Sequence, residues 1–238
     1  MKMINLKKTE NVIVLGLFLG LIGGVAAALL GYVFEITKEP IKKAQMAKTN
    51  QALKDVLPDF NNQPSEEILT FTSPDAEKFK VMFYPAKKDG VLVGFAGRSI
   101  TKRGYGGEIE VMTGLNPDGV IRTVIVTRQN ETPGLGTVVT ERKRVVTIFD
   151  ILGMGKKVDK SKLPPNPILD QFDNHSDSPS DSWPKPWSVK KDGGQLNFVT
   201  GATISSRAVT DAVFRIAKTF EVEKAAIMLK LNLKPETK

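Results

Sequence analysis

Hydroxyl side chains gather beside a glycine in residues 200–207, whose sequence is TGATISSR. A Gly-Ala turn leads there directly into a periodic apolar pattern that predicts a helix over residues 205–231. The free backbone N–H groups and the dipole at a helix start suit a phosphate group. Hydroxyl groups can bind that phosphate, but they can equally cap the helix, so the segment alone leaves both interpretations open. Its hydroxyl groups belong to Thr200, Thr203, Ser205 and Ser206.

Two further segments combine glycines with groups that can face a flat ligand. Residues 103–107 read RGYGG and place Tyr105 between glycines, which let the backbone approach a ligand or make a tight turn. Residues 131–136 read ETPGLG, so the polar pair Glu131 and Thr132 precedes a rigid proline and two flexible glycines. Each segment taken alone is also typical of an ordinary turn.

The composition excludes several kinds of site. The chain has no cysteine, which excludes disulfides, iron–sulfur ligation and thiolate catalysis. Its single histidine, His175, excludes His-rich metal sites and haem held by two histidines. We therefore predict no metal site in this chain.

The formal charge of +8 raises the question of a nucleic-acid partner. The lysines and arginines are scattered, however, and many flank an apolar segment, where they favour attraction to a membrane surface over nucleic-acid binding. The charged run ERKR at residues 141–144 has no interleaved aromatic residue. We interpret it as the solvated start of a short helix over residues 142–152.

Residues 12–34 form an apolar stretch without a charge. Roughly 20 residues cross the hydrocarbon core of a bilayer, so the stretch predicts one transmembrane helix. It is longer than the usual core of a signal peptide, which favours an uncleaved anchor. Because the N-terminal tail is short, we expect it in the cytoplasm and the globular part outside, at the cytoplasmic (inner) membrane. The glycines of the span permit close packing by a partner helix, although glycine is also common in membrane helices.

The rest of the pattern predicts an α+β fold with an antiparallel sheet and flanking helices. We divide the chain into a cytoplasmic tail at residues 1–11, the membrane helix at 12–34, a stalk helix at 35–58 and a globular domain at 59–238. Pro40 is expected to end or kink the membrane helix. Residues rich in proline and polar side chains predict a long loop over 155–194, and alternating apolar residues predict strands over 80–86, 91–100, 108–115 and 120–128.

The glycine-rich segments, taken in order, resemble one known family. GYGG at residues 104–107 is followed by MTGL at 112–115, then by ETPGLG at 131–136 and TGATISSRAV at 200–209. With the N-terminal membrane helix, this order is similar to the FMN-binding domain shared by the G subunit of the Rnf complex and the C subunit of the sodium-pumping NADH:quinone oxidoreductase. The ending SRAV at 206–209 looks more like the Rnf protein.

The resemblance implies that residues 59–238 are an FMN-binding domain and that Thr203 bears FMN through a phosphoester. A separate flavin transferase would attach the FMN from FAD, so Thr203 would be a tether without a catalytic role. The chain would pass electrons beside other membrane and peripheral subunits of a complex that couples ferredoxin–NAD redox chemistry to Na⁺ or H⁺ movement. The other expected FMN-binding residues are Thr200, Gly201, Ala202, Ser205, Ser206, Glu131, Thr132, Gly134, Leu135 and Tyr105.

Two positions depart from the family's pattern. Asn197 stands where the family commonly has an aspartate, three residues before the attachment motif, which leaves the efficiency of flavin attachment open. Gln129 stands where the family often has a histidine, which argues against a histidine-dependent proton step there. Two alternatives stay open: the quinone-reductase C subunit, and an extracytoplasmic binding or assembly module without flavin.

Overall fold

The computed structural model describes residues 6–75, 77–143, 163–175 and 187–231. The chain forms two compact units, Met1–Lys48 and Thr49–Lys238. The first unit holds most of helix α1, which runs Leu6–Val56. Among the described helices, α1 is the one long and apolar enough to cross a membrane, and the side chains of its apolar stretch are all exposed. It fits the single-pass anchor that the sequence predicts.

Pro40 lies inside α1 and does not end it. Of the two outcomes expected at Pro40, an end or a kink of the helix, the end is therefore wrong. A proline removes one backbone donor from a helix, but the turns on both sides keep their own hydrogen bonds, and the helix continues through the gap. The residues predicted as a separate stalk helix are thus the continuation of the same helix.

Five antiparallel strands form a single sheet in the order in which they follow along the chain. This meander confirms the predicted α+β class. The sequence prediction missed strand β1, because this strand has only four residues, fewer than the alternating runs from which the other strands were predicted. The strands are β1 (Leu69–Thr72), β2 (Lys80–Lys88), β3 (Val91–Gly104), β4 (Gly107–Leu115) and β5 (Ile121–Arg128).

Helix α3 (Thr203–Lys230) covers one face of the sheet. Its Phe220 packs against Phe83 and Phe95, with ring centroids 5.7 and 5.2 Å away. Burial of each of these aromatic side chains stabilises the folded state by roughly 1.5–3 kcal/mol. Gly97 of β3 makes the approach possible, since a Cβ atom there would lie 2.2 Å from Cγ2 of Ile216. The apolar residues behind the predicted periodicity form the buried face of this helix, namely Ala208, Val209, Ala212, Val213, Ile216 and Phe220.

The opposite face of the sheet is covered by residues at the end of α1 and just after it. Gly114 of β4 lies against the backbone there, because a Cβ atom at Gly114 would meet the carbonyl oxygen of Val56 at 2.1 Å. Both faces of the sheet are thus buried, and α3 packs against only one of them. The apolar side chains of this second layer are Ala52, Leu53, Val56, Leu57, Tyr84, Ala86, Ala96, Met112 and Ile125.

Arg142 corrects the interpretation of residues 141–144 as a solvated helix start. Residues 141–143 are not helical, and the Arg142 side chain is 9% exposed. Its guanidinium donates to the carbonyl oxygens of Val124 and Pro164 and pairs with Asp170 at 2.5 Å. The rest of the predicted helix lies outside the described residues. A short helix not predicted from the sequence, α2 (Gly136–Thr140), precedes this arginine.

The described parts of the predicted 155–194 loop contribute several side chains to the core. Leu169, Phe172 and Trp187 are buried, and the rings of Phe172 and Trp187 stack with their centroids 6.3 Å apart. Two short 3₁₀ helices, Asp170–Phe172 and Lys190–Asp192, order the chain there. The remainder of the predicted loop lies outside the described residues.

Asp173 gives this region a pH dependence. Burial, and then the neighbouring charge of Asp170, raise the pKa of Asp173 to about 6, against an opposing effect of Arg142. The unfolded chain therefore loses this proton first, near pH 4, and the free energy of unfolding falls as the pH rises from about 4 to about 6. We expect Asp173→Asn to stabilise the detergent-solubilised chain at pH 8 by about 1 kcal/mol, after allowance for partial exposure.

Urea unfolding followed by circular dichroism at pH 8 and pH 4 measures this effect. The variant and the wild type should differ at pH 8 and differ much less at pH 4, where the wild-type carboxyl is protonated in the folded state and about half protonated in the unfolded state. A stabilisation of equal size at both pH values would show that ionisation of Asp173 is not its cause.

Candidate functional site

A cavity of about 480 Å³ lies at the start of α3, within the size range of small-molecule sites. Most of the residues singled out in the sequence meet at its wall. Thr200, Ser206 and Gly134 are not among its lining residues. The predicted residues that line the cavity are Tyr105, Glu131, Thr132, Leu135, Gly201, Ala202, Thr203 and Ser205. The additional lining residues are Gly136, Lys191, Ile204 and Arg207.

The start of α3 has no side-chain cap. The N-cap position is occupied by Ala202, with φ −124° and ψ 36°. The preceding Gly201 has φ +88°, a backbone conformation that glycine adopts readily. This arrangement excludes an ordinary Ser/Thr cap, which was the alternative interpretation of this segment. The backbone donors of the first turn are therefore left to other partners, such as a phosphate.

The two serines of the motif are turned inward instead. The Ser206 hydroxyl donates to the Ala202 carbonyl at 3.0 Å and accepts from the Val199 N–H at 3.3 Å. The Ser205 hydroxyl donates to Glu131. Both serines are buried and hold the turn in place, whereas Thr203 is half-buried at the cavity and Thr200 is exposed.

Glu131 joins all three sequence motifs. Its side chain is 5% exposed. One carboxylate oxygen accepts the Ser205 hydroxyl at 2.6 Å and the other accepts the Gly106 N–H at 3.1 Å. Gly136 lies so close that a Cβ atom there would approach Oε2 of Glu131 to 2.3 Å. In the described part of the chain, no arginine, lysine or histidine forms an ion pair with this carboxylate.

The ETPGLG segment makes a compact turn into α2. The Thr132 carbonyl accepts the N–H groups of Leu135 and Thr137 at 3.2 and 3.3 Å. The Thr137 hydroxyl accepts the Gly134 N–H at 2.9 Å, and Gly134 has φ +78°. Gly134 thus shapes the turn, and Leu135 lies 47% exposed at the cavity.

The RGYGG segment is the tip of the β3–β4 hairpin. Gly104 pairs with Gly107, so Tyr105 and Gly106 form the two-residue turn. Tyr105 is 71% exposed and lines the cavity. The hairpin lies directly against the end of β5 and its following residues, since a Cβ atom on Gly106 would meet the Asn130 carbonyl oxygen at 1.9 Å.

We expect Gly106→Ala to lower the free energy of unfolding by about 2 kcal/mol, because the clash moves the hairpin and breaks its bond to Glu131. Tyr105→Ala, an exposed change in the same turn, should stay within about 0.5 kcal/mol of the wild type. Urea unfolding of the detergent-solubilised chain, followed by circular dichroism, compares the two. Equal stabilities of these variants would contradict the close approach.

Cationic side chains lie at one side of the cavity. Arg207 makes a two-point ion pair with Asp192, with nitrogen–oxygen distances of 2.7 and 2.5 Å. The pair raises the pKa of Arg207 and lowers the pKa of Asp192, mainly through the hydrogen bond between them. Lys191 also lines the cavity and is exposed. The sequence motif ends at Arg207, but nothing in the pattern marked Lys191.

The two residues that depart from the family's pattern are both hydrogen-bonded. The Asn197 side chain accepts from the Lys190 ammonium at 2.7 Å, and its backbone N–H donates to Gln171 at 2.7 Å. The Gln129 amide donates to Glu141 at 2.9 Å and accepts the Glu131 N–H. Gln129 therefore helps to hold the Glu131 turn. Among the described residues, no cluster of His, Cys, Asp or Glu could hold a metal ion.

Comparison with known proteins agrees with this geometry. The FMN-binding domain family matches residues 104–218, a range that contains β4, β5, the residues lining the cavity and more than half of α3. The fold and the site thus define an FMN-binding domain. The G subunit of the ion-translocating oxidoreductase complex from Aliivibrio fischeri is 31% identical over 227 residues, which cover 93% of this chain and 96% of that protein. The chain belongs to the family of these G subunits.

Further relatives carry the same name. The protein from Shewanella piezotolerans is 30% identical over 203 residues, covering 83% of this chain and 84% of that protein. A protein from Cereibacter sphaeroides is 30% identical over 224 residues, covering 93% and 90%. The resemblance predicted from the three motifs is confirmed, and the chain is related along most of its length to subunits of a redox complex.

Proposed function

We propose that this protein carries FMN covalently on the Thr203 hydroxyl and passes electrons within a membrane complex that couples ferredoxin–NAD chemistry to Na⁺ or H⁺ movement. The observation that carries the proposal is the uncapped start of α3, with Thr203 half-buried at the cavity. In that position, a phosphate esterified to the threonine would lie beside the free N–H groups of the first helical turn. Lys191 also lines the cavity and adds a positive charge there.

The rest of the cavity suits a flat aromatic ring. Tyr105, Leu135 and Ile204 line it with side chains that are 71%, 47% and 46% exposed, an unusual degree of exposure for apolar surface grouped in one place. FMN would supply the electron chemistry, and the protein would orient the ring and tune its potential. Beside Thr203, the proposed FMN-binding residues are Thr200, Gly201, Ala202, Ser205, Ser206, Glu131, Thr132, Gly134, Leu135 and Tyr105, with Ser205, Ser206 and Gly134 acting by shaping the turns.

Attachment needs a separate flavin transferase. The Thr203 oxygen would displace AMP from FAD, so that the new oxygen–phosphorus bond replaces the pyrophosphate bond and the hydroxyl proton goes to the solvent. The described residues give the Thr203 hydroxyl no hydrogen-bonded base, which supports an external enzyme over self-modification. Asn197, where the family commonly has an aspartate, then affects the yield of attachment.

The proposed membrane arrangement is an N-terminal anchor with the flavin domain outside the cytoplasm. It comprises a cytoplasmic tail at residues 1–11, a span at 12–34, a stalk at 35–58 and the FMN-binding domain at 59–238, with other subunits as partners. Because the chain has no cysteine, single cysteines introduced into the domain can be labelled with a membrane-impermeant maleimide in intact cells. Labelling only after cell lysis would contradict this orientation.

Denaturing electrophoresis under ultraviolet light tests the covalent flavin. The chain is expressed with and without a flavin transferase of the same genome. We expect a fluorescent band only in the first case, with equal amounts of protein. A non-fluorescent band with an active transferase would favour the alternative of a flavin-free assembly module.

A further inference from the structure

We propose that the Glu131 carboxylate holds the flavin of this protein at a lower reduction potential than the same cavity would without it. This inference rests on the proposed function, because it concerns the flavin bound at Thr203. Its basis is a buried carboxylate that lines the cavity and that, among the described residues, is held only by neutral donors, the Gly106 N–H and the Ser205 hydroxyl.

The charge of Glu131 is poorly compensated. Lys191 and Arg207 line the same cavity, but Lys191 is exposed to solvent and the charge of Arg207 is already paired with Asp192. Glu141, which is linked to the Glu131 turn through Gln129, is itself paired with Lys143 and does not change this balance. Solvent and salt screen exposed charges strongly and buried ones much less, so the negative charge of Glu131 would be the least screened charge that the cavity presents to a bound flavin.

Reduction adds an electron to the flavin ring. A fixed negative charge nearby opposes the added charge, which favours the oxidised ring and lowers the potential. Removal of the charge should therefore favour reduction. Across several ångströms of partly buried protein, one unit charge changes such an equilibrium constant by about tenfold.

Glu131→Gln separates the charge from the hydrogen bonds. The amide oxygen of glutamine can still accept the Gly106 N–H, while its NH₂ group donates to the Ser205 hydroxyl, which can act as an acceptor instead of a donor. Glu131→Asp does the opposite, since it keeps the charge but its shorter side chain does not reach both donors. Glu131→Ala removes both. The control is Glu108→Gln, which removes an exposed carboxylate near the same hairpin.

Redox titration of the flavinylated full-length chain, followed by flavin absorbance, measures the effect. At one fixed ambient potential, we expect the ratio of reduced to oxidised flavin to rise about tenfold in the Gln and Ala variants. The ratio should stay near the wild-type value in the Asp and Glu108→Gln variants. In the flavin-free chain, urea unfolding should show weaker folding for Asp and Ala than for Gln.

An unchanged ratio in both neutral variants would overturn the inference and leave the proposed function intact, because covalent flavin is scored independently on the denaturing gel. The inference would also be overturned if Glu131→Gln and Glu131→Ala carried no covalent flavin while Glu131→Asp carried it at the wild-type level. The charge of Glu131 would then be needed for attachment of the flavin. Absence of flavin from the wild type would overturn the proposed function itself.

Discussion

Replacement of Thr203 by alanine is expected to abolish covalent flavin while leaving the amount of folded protein unchanged. Thr203 is half-buried at the cavity, and the described residues give its hydroxyl no hydrogen bond, so the fold does not depend on it. The variant removes the one oxygen to which the phosphate would be esterified. The expected loss is complete, because Ser205 and Ser206 are buried and point to Glu131 and Ala202.

Two matched variants sharpen this expectation. Thr203→Ser keeps a hydroxyl at the same position and should retain fluorescent product, at a reduced yield. Thr200→Ala removes the other threonine of the motif, which is exposed and outside the cavity lining, and should label like the wild type. Fluorescence on a denaturing gel, normalised to the protein band, reads out all three. If the label were retained in Thr203→Ala and lost in Thr200→Ala, the flavin would be attached to Thr200 and the assignment to Thr203 would be wrong.

Replacement of Arg142 by alanine is expected to lower the free energy of unfolding by about 3 kcal/mol. The guanidinium joins β5, the residues around Pro164 and the 3₁₀ helix at Asp170–Phe172 through hydrogen bonds and one ion pair. Its loss leaves the carbonyl oxygens of Val124 and Pro164 without this donor in a partly buried region, and unpaired polar groups there are costly.

The neighbouring Lys143 is the control for Arg142. Its side chain is 69% exposed and, among the described residues, pairs only with Glu141, so Lys143→Ala should change stability by less than about 0.5 kcal/mol. Arg142→Lys should fall between the two alanine variants, because a lysine keeps the charge but cannot reproduce the planar fork. Urea unfolding of the detergent-solubilised chain at pH 7 measures the series. Similar decreases in the free energy of unfolding for Arg142→Ala and Lys143→Ala would contradict the stabilising role of the Arg142 contacts.

The fold was largely predictable because its signals are local. Alternating apolar residues separated by Asp89-Gly90 and by residues 116–119 specify β2 to β5, and the apolar periodicity after Thr203 specifies α3. The wrong interpretation of residues 141–144 arises from long-range contacts. Arg142 belongs to a run of charges that is typical of a solvated surface, and its partners at Val124 and Asp170 are distant in sequence.

The candidate site was also predictable only in part. The order of the motifs predicted which residues meet at the cavity, since a shared ligand would require them together. The uncapped start of α3 could not be predicted from the local sequence. A serine near a helix start commonly caps the helix, but Ser205 instead donates to Glu131, 74 residues away in the sequence. The same contact makes Glu131 a buried positioning group, a role that its motif does not indicate.

The mass of the intact chain is the most direct test of the central claim. The chain is purified from cells that express the flavin transferase, denatured to remove non-covalent ligands and weighed by electrospray mass spectrometry. We expect the mass of the polypeptide plus one FMN less one water, and the unmodified mass for Thr203→Ala from the same cells. An unmodified wild-type mass, or the same increment on Thr203→Ala, would contradict the attachment of FMN to Thr203.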